Sequence, residues 1–377
     1  MPKDNARILF IDLLRGLALL VMIEVHVFNG FLYPELKATN WFYYLNFING
    51  LVAPSFLFVS GFVFQLSSYR GLEELRSFGL KFRKKLARIG MIFLAGYTLH
   101  LPYFSLTSIL HKATPQQLIG FYNTDILQCI GTGLLILFFA RLFIKSDKIY
   151  NGFILVAALL FILLGPIMWH TDFTNVLPVP IADYLNPLNG SNFPLFPWLG
   201  FLLGGAVICK YYLDYRNNDK EREFIRTITF IGIIAALAGY AGTLSFMPDV
   251  IRAIKPNPFF FMFRFGIVLA LMGFCKYYFD YNSNSKNFIL DVSRESLMVY
   301  FFHLQIIYAK AIDNKSLVDI FGGSFGVLPC ILITLLLMII MSFAAVLWGR
   351  YKSTHKEETP KLVGAVLIGL VLVFLMG

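Results

Sequence analysis

The chain has 377 residues, of which 58% are hydrophobic and only 14% are charged. This balance is too apolar for a soluble domain with a solvated surface, so we predict an all-α, polytopic membrane helix bundle. The formal net charge of +10 does not indicate a nucleic-acid partner, because basic residues beside membrane spans set the orientation of a chain. The four cysteines lie in apolar stretches at unrelated spacings, which indicates neither a metal site nor a disulfide framework.

The first predicted span, residues 8–30, combines a membrane-crossing length with four ionisable side chains. Asp12, Arg15 and His26 recur at helical spacing, so they share one face of the helix, while Glu24 points to the opposite side. Charged groups in hydrocarbon cost a few kcal/mol or more, and they are usually functional or paired. We therefore predict that one face of this helix lines a polar site.

His26 is the leading candidate for chemistry, because a neutral imidazole is tolerated in a membrane and has the proton affinity of a general base. The alternative is a histidine satisfied by an interhelical hydrogen bond. Asp12 and Arg15 are three residues apart, which suits a structural ion pair. Arg15 could equally present its guanidinium to a phosphate or carbonyl oxygen, and both interpretations stay open.

The remaining apolar stretches bring the prediction to about eleven spans, each near the ~20 residues of a crossing. The predicted spans are 8–30, 46–68, 88–111, 124–144, 149–169, 193–213, 224–247, 259–279, 289–309, 324–349 and 362–376. We see no internal repeat and no second domain, so we predict a single transmembrane domain over residues 1–377.

The basic residues predict how this bundle is oriented. With the N-terminus in the cytoplasm, and with most basic residues near span ends counted with the adjoining segment, the cytoplasmic segments hold 24 Lys and Arg residues and the outer segments hold 6, and Arg15 and Arg264 are counted within spans. This asymmetry predicts a cytoplasmic N-terminus and, with an odd number of spans, an outer C-terminus.

Three later segments add polar groups. His303 lies about halfway along the span 289–309, and a second histidine at this depth favours a polar cavity. Arg264, inside the span 259–279, needs either a carboxylate or an anionic ligand. The basic segment 82–88 suits an orientation signal with lipid headgroup contacts, or a docking site for a phosphate-rich donor.

These motifs resemble a known family. The Arg15-x10-His26 spacing, the segment SFLFVSGF and the K-x-x-R motif at Lys85 and Arg88 resemble the acyltransferase-3 superfamily of integral membrane acyltransferases. Four further segments are similar to the bacterial relatives of heparan-α-glucosaminide N-acetyltransferase: IDLLRGLALLVMIEVH, DILQCIG, FPLFPWLG and SRESLMVYFFH. The resemblance covers nearly the whole chain.

The resemblance implies an enzyme of the bacterial cytoplasmic (inner) membrane. It would transfer an acetyl or other acyl group from cytoplasmic acetyl-CoA, or another acyl-CoA, to a sugar or glycolipid acceptor facing out, without a metal. His26 matches the essential histidine, as general base or, alternatively, as a transient acyl carrier. Arg15 would orient the donor. The predicted catalytic residues are His26, Arg15 and Asp12; the predicted donor site holds Lys85, Arg88, Gln128 and Trp198; the predicted acceptor site holds His303, Arg264 and Glu24.

The chain departs from the human-type enzymes of this branch in one respect. Their active histidine follows the first span on the luminal side, whereas residues 32–41 contain no histidine here. The large luminal domain of the human-type enzymes is also missing, so heparan itself is not the expected acceptor. A sugar or glycolipid transporter or exporter with a midplane polar site is the alternative function, although no inverted repeat supports it.

Overall fold

The computed structural model describes residues 7–69, 72–244, 247–282, 288–310 and 315–376. Within these ranges the regular structure is helical, and an isolated β-bridge joins Leu32 and Phe325. The predicted all-α class is therefore confirmed. Residues 245 and 246 of the predicted span 224–247 lie outside the described residues.

The α-helices of the described residues are numbered in chain order. They are α1 Leu9–Phe31, α2 Pro34–Lys37, α3 Asn40–Asn49, α4 Val52–Tyr69, α5 Leu72–Arg76, α6 Leu80–Leu99, α7 Leu106–Lys112, α8 Pro115–Tyr122, α9 Ile126–Phe143, α10 Asp147–Leu163, α11 Gly165–His170, α12 Val179–Leu185, α13 Leu195–Asn217, α14 Glu221–Ala241, α15 Asp249–Arg252, α16 Pro258–Tyr281, α17 Phe288–Arg294, α18 Ser296–Tyr308, α19 Leu317–Phe321, α20 Val327–Thr354 and α21 Glu358–Met376. A 3₁₀ helix, Phe173–Asn175, lies between α11 and α12.

Seven helical stretches of the described chain are long and apolar enough to cross a membrane. They are Asn40–Tyr69, Ile126–Phe143, Leu195–Asn217, Glu221–Ala241, Pro258–Tyr281, Val327–Thr354 and Glu358–Met376. Each coincides with a predicted span, so the protein is a helical membrane protein. The count of eleven stays a prediction.

The other four predicted spans have a more varied structure. The span 8–30 is one continuous helix, α1. The spans 88–111, 149–169 and 289–309 are each divided between two helices, α6 and α7, α10 and α11, and α17 and α18. Pro166 stands at the start of α11, where proline is well tolerated because its missing N–H would have no partner.

The helices form two compact units. Unit 1 comprises residues 1–18, 50–96 and 123–285, and unit 2 comprises residues 19–49, 97–122 and 286–377. Helix α1 contributes its first half to unit 1 and its second half to unit 2. The single functional domain over residues 1–377 stays a prediction.

In unit 1, helices α4 and α13 pack with their backbones in direct contact. A Cβ atom on Gly61 would overlap the carbonyl oxygen of Leu202, and a Cβ atom on Gly205 would overlap that of Phe58. Small residues allow such close approach, which is how membrane helices gain packing energy where lipid provides no hydrophobic driving force. The glycines of the predicted spans 46–68 and 193–213 therefore serve helix packing.

In unit 2, the end of α1 is tied to the segment that precedes α20. The backbone N–H of Gly323 donates to the carbonyl of Gly30 at 3.2 Å, and the N–H of Phe325 donates to the carbonyl of Phe31 at 2.9 Å. The N–H of Tyr33 in turn donates to the carbonyl of Phe325 at 2.9 Å. These bonds satisfy backbone groups that a helix end leaves unpaired, and they fix the second half of α1 within unit 2.

Helix α19 in the same segment is held by a capping box. The backbone N–H and the hydroxyl of Ser316 both donate to Asp319 Oδ2 at 2.8 Å. These two hydrogen bonds stabilise the carboxylate and lower the pKa of Asp319 below its usual range. The ordered segment brings the side chain of Val318 against Gly30 of α1.

Candidate functional site

The first half of α1 holds the predicted ion pair. Arg15 Nη2 lies 2.6 Å from Asp12 Oδ1, and Arg7 Nε lies 3.3 Å from the other carboxylate oxygen. Asp12 is buried, so two guanidinium groups compensate one buried carboxylate. The Arg15 side chain remains 17% exposed, which leaves part of its guanidinium able to contact a ligand.

Lys85 and Arg88 belong to unit 1, like this pair. Lys85 Nζ donates to the hydroxyls of Ser67 and Ser68, both at 2.8 Å, and lies 4.3 Å from the centroid of the Phe64 ring. Three residues of one helical turn of α4 thus hold the ammonium group. Arg88 is exposed and close enough to both Arg15 and Lys85 for their positive charges to repel. We call Arg15, Lys85 and Arg88 the basic cluster.

The basic cluster carries the positive charge that attracts an anion. Like charges held close together destabilise one another, and an anionic group placed among them relieves the repulsion. Arg and Lys bind phosphate oxygens through charge-assisted hydrogen bonds, which are stronger than neutral ones. Of the three residues that were predicted to bind and orient the donor, Arg88 therefore lies close to both Arg15 and Lys85.

Gln128 and Trp198, also in unit 1, carry buried polar atoms with no hydrogen-bond partner among the described residues. These atoms are both amide atoms of Gln128 and the indole Nε1 of Trp198. A Cβ atom on Gly96 would approach the Gln128 amide to 3.0 Å, so glycine at this position of α6 makes room for the side chain. An unpaired buried polar group costs about 1–3 kcal/mol, and a bound polar molecule would remove that cost.

Arg264 of α16 is half-buried in unit 1. Its guanidinium carbon lies 4.1 Å from the centroid of the Phe260 ring, a cation–π contact. Its Nε has no hydrogen-bond partner among the described residues. The predicted need of Arg264 for a carboxylate or an anionic ligand therefore persists in the structure.

His26 and His303 meet in unit 2. The ring centroids are 5.3 Å apart, with an angle of 52° between the ring planes. Tyr308, at the end of α18, also lies against the His26 ring, with centroids 5.8 Å apart and ring planes at 84°. The two histidines that the sequence analysis singled out thus form one cluster with Tyr308, which we call the histidine cluster: His26, His303 and Tyr308.

The hydrogen bond of His303 determines its tautomer. Nδ1 of His303 lies 2.8 Å from the carbonyl oxygen of Val299. A carbonyl only accepts, so Nδ1 carries the proton and Nε2 of the neutral ring presents a lone pair. His303 is fully buried, and Nε2 has no hydrogen-bond partner among the described residues. This lone pair can receive a hydrogen bond from an O–H or N–H group of a ligand.

Glu24 lies apart from the histidine cluster, on the opposite face of α1, as its spacing predicts. It borders a groove of about 470 Å³ in unit 2. The groove is lined by residues of α1, α3 and α20, most of them apolar or aromatic: Glu24, Phe28, Trp41, Tyr44, Leu45, Ile48, Val327, Ile331, Thr334 and Leu335. The structure therefore does not bring Glu24 together with His26 as part of one constellation.

Unit 1 also contains a buried polar network that the sequence did not predict. The guanidinium of Arg141 is 1% exposed, pairs with Asp147 at 2.5 Å and lies over the rings of Tyr69 and Tyr150. The sequence placed Arg141 only among the basic residues that set orientation. Its burial against two aromatic rings and one carboxylate indicates a packing role that joins α4, α9 and α10.

Comparisons with known proteins bear on this geometry. Residues 7–241, more than half of the chain, match the family model described as heparan-alpha-glucosaminide N-acetyltransferase, catalytic. A search of curated proteins finds no match. The matched region contains α1, with Arg15 and His26, and all three residues of the basic cluster. The chain therefore belongs to the heparan-α-glucosaminide N-acetyltransferase catalytic family, a family of membrane acetyltransferases, as its sequence motifs predicted.

Proposed function

We propose that this protein transfers an acetyl or other acyl group from cytoplasmic acetyl-CoA, or a related acyl-CoA, to a sugar or glycolipid acceptor. The observation that carries the proposal is the family match over residues 7–241. The matched region includes helix α1, on which the guanidinium of Arg15 and the imidazole of His26 share one face. The acceptor class rests on the family description, and the donor class rests on the basic cluster.

The basic cluster supports a CoA donor. CoA carries several phosphate groups, and an exposed Arg88 beside the fixed ammonium of Lys85 offers donors to their oxygens. Gln128 and Trp198 of the same unit supply unpaired polar atoms for less charged parts of the donor. Arg15 would orient the thioester or polarise its carbonyl, with Asp12 holding the guanidinium in place.

His26 would act as the general base. Its imidazole takes the proton of the acceptor hydroxyl or amine, and the nucleophile attacks the thioester carbonyl carbon. A C–O or C–N bond forms, the C–S bond breaks, and the thiolate of CoA leaves and is protonated. Eleven residues separate Arg15 from His26, about 16 Å along the axis of α1.

The proposed arrangement has the N-terminus in the cytoplasm and eleven spans in a bacterial inner membrane, with both units serving one enzyme. Cysteine labelling in intact cells tests this orientation. A membrane-impermeant maleimide is expected to label Asn175→Cys, in an exposed outer loop, but not Lys145→Cys, in an exposed cytoplasmic loop, unless the cells are opened. The reverse pattern would contradict the orientation.

Donor binding is tested by the thermal stability of the purified protein. A ligand that binds only the folded state stabilises it by about 2.7 kcal/mol at a hundredfold excess over Kd. We expect CoA to raise the melting temperature of the wild-type protein in nanodiscs. A well-folded protein whose melting temperature does not respond to CoA would contradict a CoA donor.

Replacing Lys85 with methionine is expected to weaken CoA binding about 10- to 100-fold. The loss corresponds to one charge-assisted hydrogen bond of about 1.5–3 kcal/mol. Titration calorimetry with CoA and with dephospho-CoA measures the change, and the effect should shrink for dephospho-CoA if Lys85 contacts the phosphate that this ligand lacks. Lys84→Met is the matched control, because Lys84 is an exposed neighbour in the same basic segment. Equal losses in the two variants would indicate unspecific charge attraction rather than a site.

A further inference from the structure

Two side chains of α18 contact the imidazole of His26. The ring centroid of His303 lies 5.3 Å from that of His26, and the ring of Tyr308 approaches edge-on at 5.8 Å between centroids. The phenolic oxygen of Tyr308 is 3.5 Å from Nδ1 of His26, at the outer limit of a hydrogen bond. The hydroxyl therefore lies within reach of one defined ring nitrogen of His26, Nδ1.

The identity of that nitrogen matters for a base. A neutral imidazole carries its proton on one nitrogen and a lone pair on the other, and the hydrogen bond at one nitrogen decides which tautomer is present. A base that uses Nε2 must carry its proton on Nδ1. In free histidine the opposite tautomer, with the proton on Nε2, is the more populated one. The protein therefore has to supply an acceptor for the Nδ1 proton.

The surroundings of Tyr308 suit this role. Its side chain is 41% exposed, so its own hydroxyl proton can be donated to water or to a bound ligand. The phenolic oxygen then keeps a lone pair for the N–H of His26. A tyrosine in this position orients the imidazole as a carboxylate orients the histidine of a catalytic triad, although it contributes no negative charge.

We propose that Tyr308 is a positioning residue that selects the His26 tautomer protonated at Nδ1, so that Nε2 is the base toward the acceptor. The proposal rests on the proposed function of His26 as general base. In the reaction, Nε2 takes the proton from the acceptor hydroxyl or amine, and Nδ1–H remains bonded to the phenolic oxygen. The proton on Nε2 later passes to the leaving thiolate, so no net proton remains on the protein.

His303 completes the arrangement. Its Nδ1–H is committed to the carbonyl of Val299, so its buried Nε2 presents only a lone pair. An acceptor O–H or N–H group can donate to this nitrogen while it approaches His26. The acceptor class that fits the histidine cluster therefore carries at least one free hydroxyl or amine hydrogen besides the proton that His26 removes, as primary amines and neighbouring sugar hydroxyls do.

The experiment compares wild-type protein with Tyr308→Phe in proteoliposomes. Nitrogen NMR of ¹⁵N-histidine-labelled protein separates protonated from unprotonated ring nitrogens, and the His26 signals among the six histidines are assigned by their absence in His26→Gln. We expect the wild-type His26 to be protonated at Nδ1. Tyr308→Phe should shift it toward the Nε2-protonated form and lower kcat about tenfold, with the KM for the acyl donor unchanged.

Tyr43→Phe is the matched control, because Tyr43 is an exposed tyrosine of the same unit. It should change neither the tautomer nor the turnover. A wild-type His26 protonated at Nε2 would overturn the proposal without reference to any variant. An unchanged tautomer in Tyr308→Phe would also overturn it. A tautomer shift with undiminished turnover would overturn the positioning role and show that His26 is not the base.

Discussion

Replacing His26 with alanine is expected to lower acyl transfer at least about a hundredfold while the affinity for the donor stays unchanged. The imidazole is the part of the histidine cluster that lies within the family match, on the face of α1 that also carries Arg15. The residues that would bind the donor, Lys85 and Arg88, belong to unit 1, whereas the histidine cluster belongs to unit 2. Loss of kcat without loss of donor affinity separates a base from a binding residue.

The measurement is the rate of CoA release in the presence of acceptor, detected with a thiol reagent, alongside calorimetric titration of CoA. His170→Ala is the control, since His170 is exposed and its Nδ1 forms a hydrogen bond with the carbonyl of Pro166 one turn earlier. This substitution removes a histidine that is not part of the histidine cluster, so the variant should retain wild-type turnover. Turnover in His26→Ala within a few-fold of wild type would contradict the assignment of the base.

Replacing Gly61 with alanine is expected to destabilise the folded protein by about 3 kcal/mol or more. The new Cβ atom would overlap the carbonyl oxygen of Leu202, a backbone atom that cannot move unless α4 and α13 separate. Overpacking of a close-packed interior typically costs about 1–3 kcal/mol, and a rigid backbone contact lies at the upper end. Gly205→Ala should behave alike, because its Cβ atom would overlap the carbonyl of Phe58.

Gly152→Ala is the matched control for this packing prediction. A Cβ atom on Gly152 of α10 meets no atom within 4 Å, and alanine favours a helix by about 1 kcal/mol over glycine. The melting temperature in detergent should therefore stay the same or rise in the control and fall sharply in Gly61→Ala. Similar melting temperatures for the two variants would show that α4 and α13 are not in backbone contact.

The helical pattern of α1 allowed a large part of the candidate site to be predicted. Its charged residues recur with the period of a helix inside an apolar stretch, so their shared face and the Asp12–Arg15 pair follow from the sequence alone. The depth of His303 within its span indicated a second histidine of the same cavity, and the structure places it beside His26.

Other features depend on contacts between distant segments. The break between α17 and α18 falls at Glu295, whose carboxylate pairs with Lys352 at 2.6 Å, and hydropathy does not distinguish such a pair from two surface charges. Tyr308 is one of 19 tyrosines, and only its distance from His26 distinguishes it from the others. The space around Gln128 likewise depends on Gly96, which belongs to another helix.

The transfer of a radiolabelled acetyl group most directly tests the central claim that this chain is a CoA-dependent acyltransferase. Wild-type protein in nanodiscs is given labelled acetyl-CoA and a panel of amino sugars and glycolipids, with His26→Ala in parallel. We expect label in at least one acceptor and CoA release that depends on that acceptor, and we expect His26→Ala to show no label transfer and no such release. Folded wild-type protein that neither binds acetyl-CoA nor releases CoA would contradict the acyltransferase function and favour a transporter.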